Sequence, residues 1–228
     1  MKWCAIVVAA GRGTRFGRPK QLVEIAGRPM LAWSVKTFIE MPEIERIVVV
    51  TESEWLDEVR VALSGMGDDR AVCVVPGGAT RQGSVRCGLQ QVPQSCDAVL
   101  VHDGARPLVQ AEDVRAGMRA VRPGRGALLA APVVDTIKVV DPATMRVERT
   151  LDRASLWAAQ TPQFAMREEL LRAHDAASAS SLEATDDAAL LEAIGIEIVV
   201  IPASIENFKV THPGDVARAQ VALGAYRT

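Results

Sequence analysis

Three short segments hold the residues whose types could act on a phosphorylated ligand. Ala9-Ala10-Gly11-Arg12-Gly13-Thr14-Arg15-Phe16-Gly17-Arg18-Pro19-Lys20 carries three glycines, four basic residues and no acidic one. Glycine lets backbone N–H groups come close to an anion, and Arg15 and Lys20 can add charge-assisted contacts to phosphate oxygens. In His102-Asp103-Gly104-Ala105-Arg106-Pro107 a carboxylate closes an apolar run. Such a carboxylate, at a strand end facing a phosphate loop, suits Mg²⁺, which takes one or two carboxylates and completes its shell with phosphate oxygens and water. Asp103 is therefore the expected metal ligand, while His102, a single histidine at a strand end, is assigned no chemistry. In Pro76-Gly77-Gly78-Ala79-Thr80-Arg81-Gln82-Gly83-Ser84-Val85 the paired glycines permit close approach to a planar base, whose edge the Ser84 hydroxyl could hydrogen-bond. Spacing excludes two other nucleotide loops. Phe16 stands where a dinucleotide fingerprint needs its third glycine, and the Gly-Lys-Ser/Thr of a Walker loop is absent.

The elements that must position these segments follow a regular rhythm. Cys4 to Val8, Arg46 to Thr51, Ala71 to Val75 and Asp97 to His102 are apolar runs of strand length, as expected of parallel strands buried on both faces. Between them, an amphipathic helix opens at Gly27-Arg28-Pro29 and another covers 53 to 64. Strand alternating with helix predicts an α/β fold with a doubly wound, mostly parallel, Rossmann-like sheet and ligands at the carboxyl ends of its strands. After a helix at 112 to 121 and a strand at 126 to 131 the rhythm breaks. Residues 132 to 154 read as a β-hairpin with a turn at Asp141-Pro142-Ala143-Thr144. An isolated hairpin is marginal in water, so this arm is expected to pack on a second subunit. Residues 156 to 163 return to the sheet. Helices are expected at 167 to 177, at 185 to 194 opened by Thr185, and from Pro213 to Tyr226, with strands at 198 to 201 and 207 to 211.

The 228 residues suit a single domain, and 49% hydrophobic content is ample for its core. A net charge of −2 gives no global pull toward nucleic acid or anionic membrane, so the basic loop is a local device for a small anion. Cys4, Cys73, Cys87 and Cys96 show no metal or disulfide spacing and read as free thiols of a reducing cytoplasm. No stretch approaches the roughly 20 apolar residues of a membrane span.

The phosphate loop, with Pro19-Lys20-Gln21, resembles the signature loop of nucleotidyltransferases that activate sugar and polyol phosphates. Together with Gly77-Gly78, Arg81 and Ser84, His102-Asp103, Ala105-Arg106-Pro107, Asp135-Thr136-Ile137-Lys138, Asp152-Arg153, Thr161-Pro162-Gln163, Thr185-Asp186 and Asn207-x-Lys209-Val210-Thr211, it makes the chain similar along nearly its whole length to the 2-C-methyl-D-erythritol 4-phosphate cytidylyltransferase family. The resemblance implies a nucleotide-diphospho-sugar transferase fold over residues 1–228 and transfer of CMP from CTP to a polyol phosphate. It further implies Mg²⁺ on Asp103, and a homodimer whose arm reaches the neighbouring site. Arg15, Lys20, Arg153 and Lys209 are the implied catalytic residues. Ala10, Gly11, Gly13, Gly78, Ser84 and Gly104 are implied around CTP, and Arg106, Asp135, Thr136 and Thr185 around the polyol phosphate. Gly104 departs from the Ala usual in the family, which removes a methyl beside ribose and metal, and Ala79 replaces a residue that is polar in some members.

The implied reaction is in-line attack by a substrate phosphate oxygen on the α-phosphorus of CTP. A phosphate monoester is mostly dianionic at pH 7, so no general base is required, and the task is to hold two anions together and stabilise equatorial charge. A ribitol 5-phosphate cytidylyltransferase shares the loop and is the alternative enzyme. A catalytically silent nucleotide-binding module would have lost the cations that this chain keeps.

Overall fold

The computed structural model describes residues 1–11, 19–66 and 72–225, so Gly13 and Arg15 lie outside the described residues. In chain order the elements are β1 (Trp3–Val8), β2 (Glu24–Ile25), β3 (Arg28–Pro29), α1 (Met30–Ile39), β4 (Ile44–Thr51), α2 (Leu56–Leu63), β5 (Val72–Pro76), α3 (Arg81–Leu89) and β6 (Ala98–Asp103). They continue with α4 (Ala111–Ala120), β7 (Arg125–Pro132), β8 (Lys138–Val140), β9 (Val147–Thr150), β10 (Trp157–Met166), α5 (Arg167–Ser180), α6 (Asp187–Ala193), β11 (Glu197–Pro202) and α7 (Pro213–Ala225).

A seven-stranded sheet in the order β11-β7-β10-β6-β1-β4-β5 carries the fold. Its strands run parallel except β10, which is antiparallel to both β6 and β7. The apolar runs are continuous because both faces are covered. Ala5, Val7, Val49 and Leu100 pack into one layer of core, and Cys4, Ile6, Val50 and Val101 into the other. Register sets the functional end. Val8 lies beside Val50 on one side and Asp103 on the other, and the N–H groups of Ala9 and Gly77 bond to the carbonyls of Val50 and Thr51 at 2.7 Å each. The loops after β1, β5 and β6 therefore leave the sheet side by side.

Several boundaries differ from expectation. Pro29 precedes α1 as its cap, held in the short β2–β3 pair. Residues 207 to 211 form no strand; one backbone bond, from Val210 N–H to Ala105 O at 2.8 Å, is the pairing they make to the β6 side. Helix α6 is capped by Asp186, whose carboxylate accepts from Ala189 N–H at 3.0 Å, and exposed Thr185 stands outside it. The hairpin is present but short, and β8 and β9 pair only with each other among the described residues.

Candidate active site

The strand ends enclose a cleft of about 210 Å³ whose lining includes Ala10, Gly11, Lys20, Thr80, Asp103 and Lys209. A larger cavity of about 540 Å³, against Arg28, Trp33 and Leu223, contains none of the residues expected to meet phosphate. Asp103 is the centre of the cleft's charge. Its Oδ2 meets Lys209 Nζ at 2.9 Å and Arg106 Nε at 3.7 Å, while Oδ1 accepts from Arg81 Nε at 3.2 Å. Burial opposes ionisation of Asp103, but the Lys209 ammonium and the Arg81 and Arg106 guanidiniums outweigh it and hold the carboxyl below its ordinary range.

The loop that delivers Lys209 is fastened at both ends. Arg106 Nη1 donates to Asn207 O at 2.8 Å, and Asn207 Nδ2 donates to Gln160 Oε1 and Thr161 O at 2.9 Å each. From the phosphate-loop side, Lys20 Nζ donates to Val210 O at 3.1 Å. Two lysines from sequence-distant loops thus come to one wall. Arg106, expected at the polyol phosphate, has its side chain 12% exposed and anchors this loop through Nη1.

His102 is structural, in agreement with its having no assigned step. The Thr161 hydroxyl accepts the Asp103 N–H at 2.9 Å and lies 3.1 Å from His102 Nδ1, while the Arg106 carbonyl at Nε2 can only accept, so in the neutral ring Nδ1 takes the Thr161 proton. Nε2 must then carry the ring proton and donate to Arg106 O at 3.1 Å. Burial pushes the imidazole down from 6.5 to about 4, which keeps it neutral. Between those values the unfolded chain binds a proton that the folded chain refuses, so stability falls as pH falls from 6.5 to 4. At about 1.36 kcal/mol per pH unit the loss is roughly 3 kcal/mol. Urea denaturation at pH 6.5, 5 and 4 should show it, and His102→Gln should flatten the slope in that window; an equal slope would place the proton uptake elsewhere.

The geometry places the other expected residues as follows. A Cβ on Gly78 would fall 2.9 Å from Gly83 C, and one on Gly77 would fall 2.8 Å from both Ala10 Cβ and Ser84 Oγ. The glycines are thus required for the loop to close on itself and on the chain just after β1, whatever else their exposed backbone meets. Ser84 is buried, donates to Thr80 O at 2.8 Å and accepts from Gly78 N–H at 3.2 Å, so its hydroxyl shapes the loop. At Gly104 a methyl would point at Val8 O, 3.2 Å away, and at Val7 and Ala9. The space a methyl would take at this position thus lies against the end of β1. Asp135, Thr136 and Arg153 are exposed on the hairpin arm, and neither they nor Thr185 line the cleft of their own chain. Arg153 Nη1 donates to Val134 O within the arm.

The residues that sequence reasoning left without a role are Arg81, Gln163 and Asp187. Arg81 joins Asp103 to Asp187, and Gln163 holds the start of α6. Arg81 and Gln163 sit in motifs named above, and Asp187 falls in the acidic first turn expected of the helix opened by Thr185, a signal that ties it to the helix dipole and not to Asp103.

A family model described as 2-C-methyl-D-erythritol 4-phosphate cytidylyltransferase matches residues 3–225. A relative of that name from Rubrobacter xylanophilus is 44% identical over 224 residues, covering 97% of this chain and 94% of its own. The bifunctional enzyme IspD/IspF of Desulforudis audaxviator is 42% identical over 225 residues, a match that takes in 96% of this chain and 56% of that longer protein. The solved 4-diphosphocytidyl-2C-methyl-D-erythritol synthase of Anaerococcus prevotii has the same fold, with a TM-score of 0.87 at 28% identity over 98% of this chain and 96% of that one. Likeness on this scale, in sequence and in fold, places the chain in the 2-C-methyl-D-erythritol 4-phosphate cytidylyltransferase family, whose reaction is cytidylyl transfer from CTP to that polyol phosphate.

Proposed function

We propose that the chain works as a homodimer that uses Mg²⁺ held by Asp103, with Lys20 and Lys209 stabilising the charge that develops as the substrate phosphate attacks the α-phosphorus of CTP. The observation that carries this reading is the convergence of Lys20, Lys209 and Asp103 at one strand-end cleft. The chemistry of the cleft's donor set supports the metal assignment. No group of three or more His, Cys, Asp or Glu able to cage an ion occurs among the described residues, and Asp103 is the acidic side chain of the cleft. One carboxylate suits Mg²⁺, which completes its shell with phosphate oxygens and water. When bound, such an ion neutralises triphosphate charge and polarises its oxygens.

The chain's own groups perform the rest. Lys20 and Lys209 place ammonium groups where two anions must meet, which offsets their mutual repulsion and orients them for attack. Ala10 and Gly11 line the same cleft with little side chain, leaving backbone to face the nucleotide. Asp135, Thr136, Arg153 and Thr185 are assigned to the polyol phosphate, the first three from the partner's arm. Exposed Val134, Met145, Val147 and Trp157 on and beside the arm support that arrangement, since apolar side chains in such density suit a surface covered by a second subunit. Four free cysteines support a reducing, cytoplasmic setting, and no helix among the described residues is long and apolar enough to cross a membrane.

Lys20→Ala tests the central assignment. It should lower kcat on the order of 10²-fold or more while weakening ground-state CTP binding far less, as for loss of a preorganised charge-stabilising group. Steady-state pyrophosphate release and equilibrium CTP binding separate the two, and an effect confined to KM would reassign Lys20 to binding.

A further inference from the structure

Asp187 is 1% exposed at the start of α6 and does not line the cleft, so the reaction as derived gives it no task. A carboxylate so deep is costly unless a cation meets it. That cation is Arg81, whose Nη1 lies 2.9 Å from Asp187 Oδ2 while its Nε lies 3.2 Å from Asp103 Oδ1. One guanidinium thus bridges two carboxylates brought together from β6 and α6.

We propose that Asp187 is a positioning residue for the metal ligand Asp103: it neutralises Arg81 so that Arg81 can orient Asp103 without competing with the divalent cation. The proposal rests on the assignment of Mg²⁺ to Asp103. The reason is charge. Arg81, Arg106 and Lys209 all meet Asp103, and three uncompensated cations on one carboxylate would repel a fourth. With Asp187 present, the charge of Arg81 is satisfied from behind, yet its N–H still fixes Oδ1. Oδ2 is then left on the side of the partly exposed Lys209, which can turn to phosphate when nucleotide arrives.

The scaffold around the bridge is built for this. Thr161 Oγ1 accepts the backbone N–H of Asp103 at 2.9 Å. Two residues on, Gln163 Oε1 accepts from Asp187 N–H and Ala188 N–H at 2.9 Å each, and its Nε2 donates to Asp186 Oδ2 at 2.9 Å. Thr161-Pro162-Gln163 therefore sets both ends of the bridge from one strand. Around the bridge the remaining polar atoms are buried as well. Arg81 Nη2, Asp187 Oδ1 and His174 Nε2 are buried without a hydrogen-bond partner, the last two 3.6 Å apart.

The probe is Mn²⁺ with α,β-methylene-CTP, which has no cleavable α–β bridge, read by water-proton relaxation enhancement, a signal specific to protein-bound ion. Asp187→Asn should raise the Mn²⁺ half-saturation about tenfold, the scale on which partners of a ligand set metal affinity. Asp187→Glu, which keeps the charge, should restore it. In turnover the loss should appear in the Mg²⁺ activation constant more than in kcat at saturating metal. On an Arg81→Gln background Asp187→Asn should change little, since the charge to be neutralised is gone. A wild-type half-saturation in Asp187→Asn, or an equal rise on both backgrounds, overturns the proposal. Should Asp187→Asn fail to fold by circular dichroism, Arg81→Lys, which must abandon one of the two carboxylates, is read in the same assay. The same rise supports the proposal and a wild-type value overturns it. Asp103→Asn separates the two readings: if it titrates as wild type the metal assignment itself fails, and if it loses Mn²⁺ while Asp187→Asn keeps it, only the role of Asp187 fails.

Discussion

Asp103→Asn is expected to abolish metal-dependent CTP turnover while leaving a folded protein. An amide oxygen is a poorer ligand for a hard cation than a carboxylate, and this position supplies the acidic side chain of the cleft. The substitution also removes the anion shared by Lys209, Arg81 and Arg106. Each of those cations keeps a compensation. Arg81 retains Asp187, Arg106 retains the Asn207 carbonyl, and Lys209 is 39% exposed to water. The stability cost should therefore stay on the order of 1–3 kcal/mol, the scale of hydrogen bonds lost to a charged group. Melting temperature and circular dichroism would record that cost, and pyrophosphate release at rising Mg²⁺ would record the activity. Near-normal turnover at ordinary Mg²⁺ would turn Asp103 into the organiser of three cations and nothing more.

What could be read from the sequence and what could not divides along a physical line. The strands of the sheet's centre were legible because burial on both faces leaves unbroken apolar runs, as in Ala5 to Val8 and Val99 to Val101. Asp103 was legible because strand-end rules place the residue after such a run at the ligand face. The direction of β10 was not, since composition carries no sign of whether a strand runs with or against its neighbour. Residues 207 to 211 have the local preferences of a strand, yet Asn207 and Lys209 are drawn into contacts with Thr161 and Asp103 that no local preference encodes. Ser84 fits a base edge and a loop carbonyl equally well by type, and its 2.8 Å bond to Thr80 O was not legible in the sequence. The Arg81–Asp187 bridge spans 106 residues of chain and exists only once α3 has packed on β1 and β4, and α6 on β7 and β11.

Mixing Lys20→Ala with Arg153→Ala, each nearly inactive alone, is expected to restore activity. Lys20 faces the cleft of its own chain, whereas Arg153 sits exposed on an arm whose strands pair only with each other among the described residues, and it does not line that cleft. If an isologous dimer exchanges arms, Arg153 of one chain completes the site whose Lys20 belongs to the other. A mixed dimer then places both defects in one site and leaves the second site with neither. Random reassociation of equal amounts makes about half of the dimers mixed, each with one intact site, so roughly a quarter of wild-type activity should return. Co-refolding the two variants and assaying pyrophosphate release measures it, with each variant refolded alone as the baseline. An arm that served its own chain would leave one defect in every site, and activity would stay at that baseline. Such a result would remove the shared site while leaving the assignments of Lys20 and Asp103 standing, because those rest on the strand-end cleft and not on the arm.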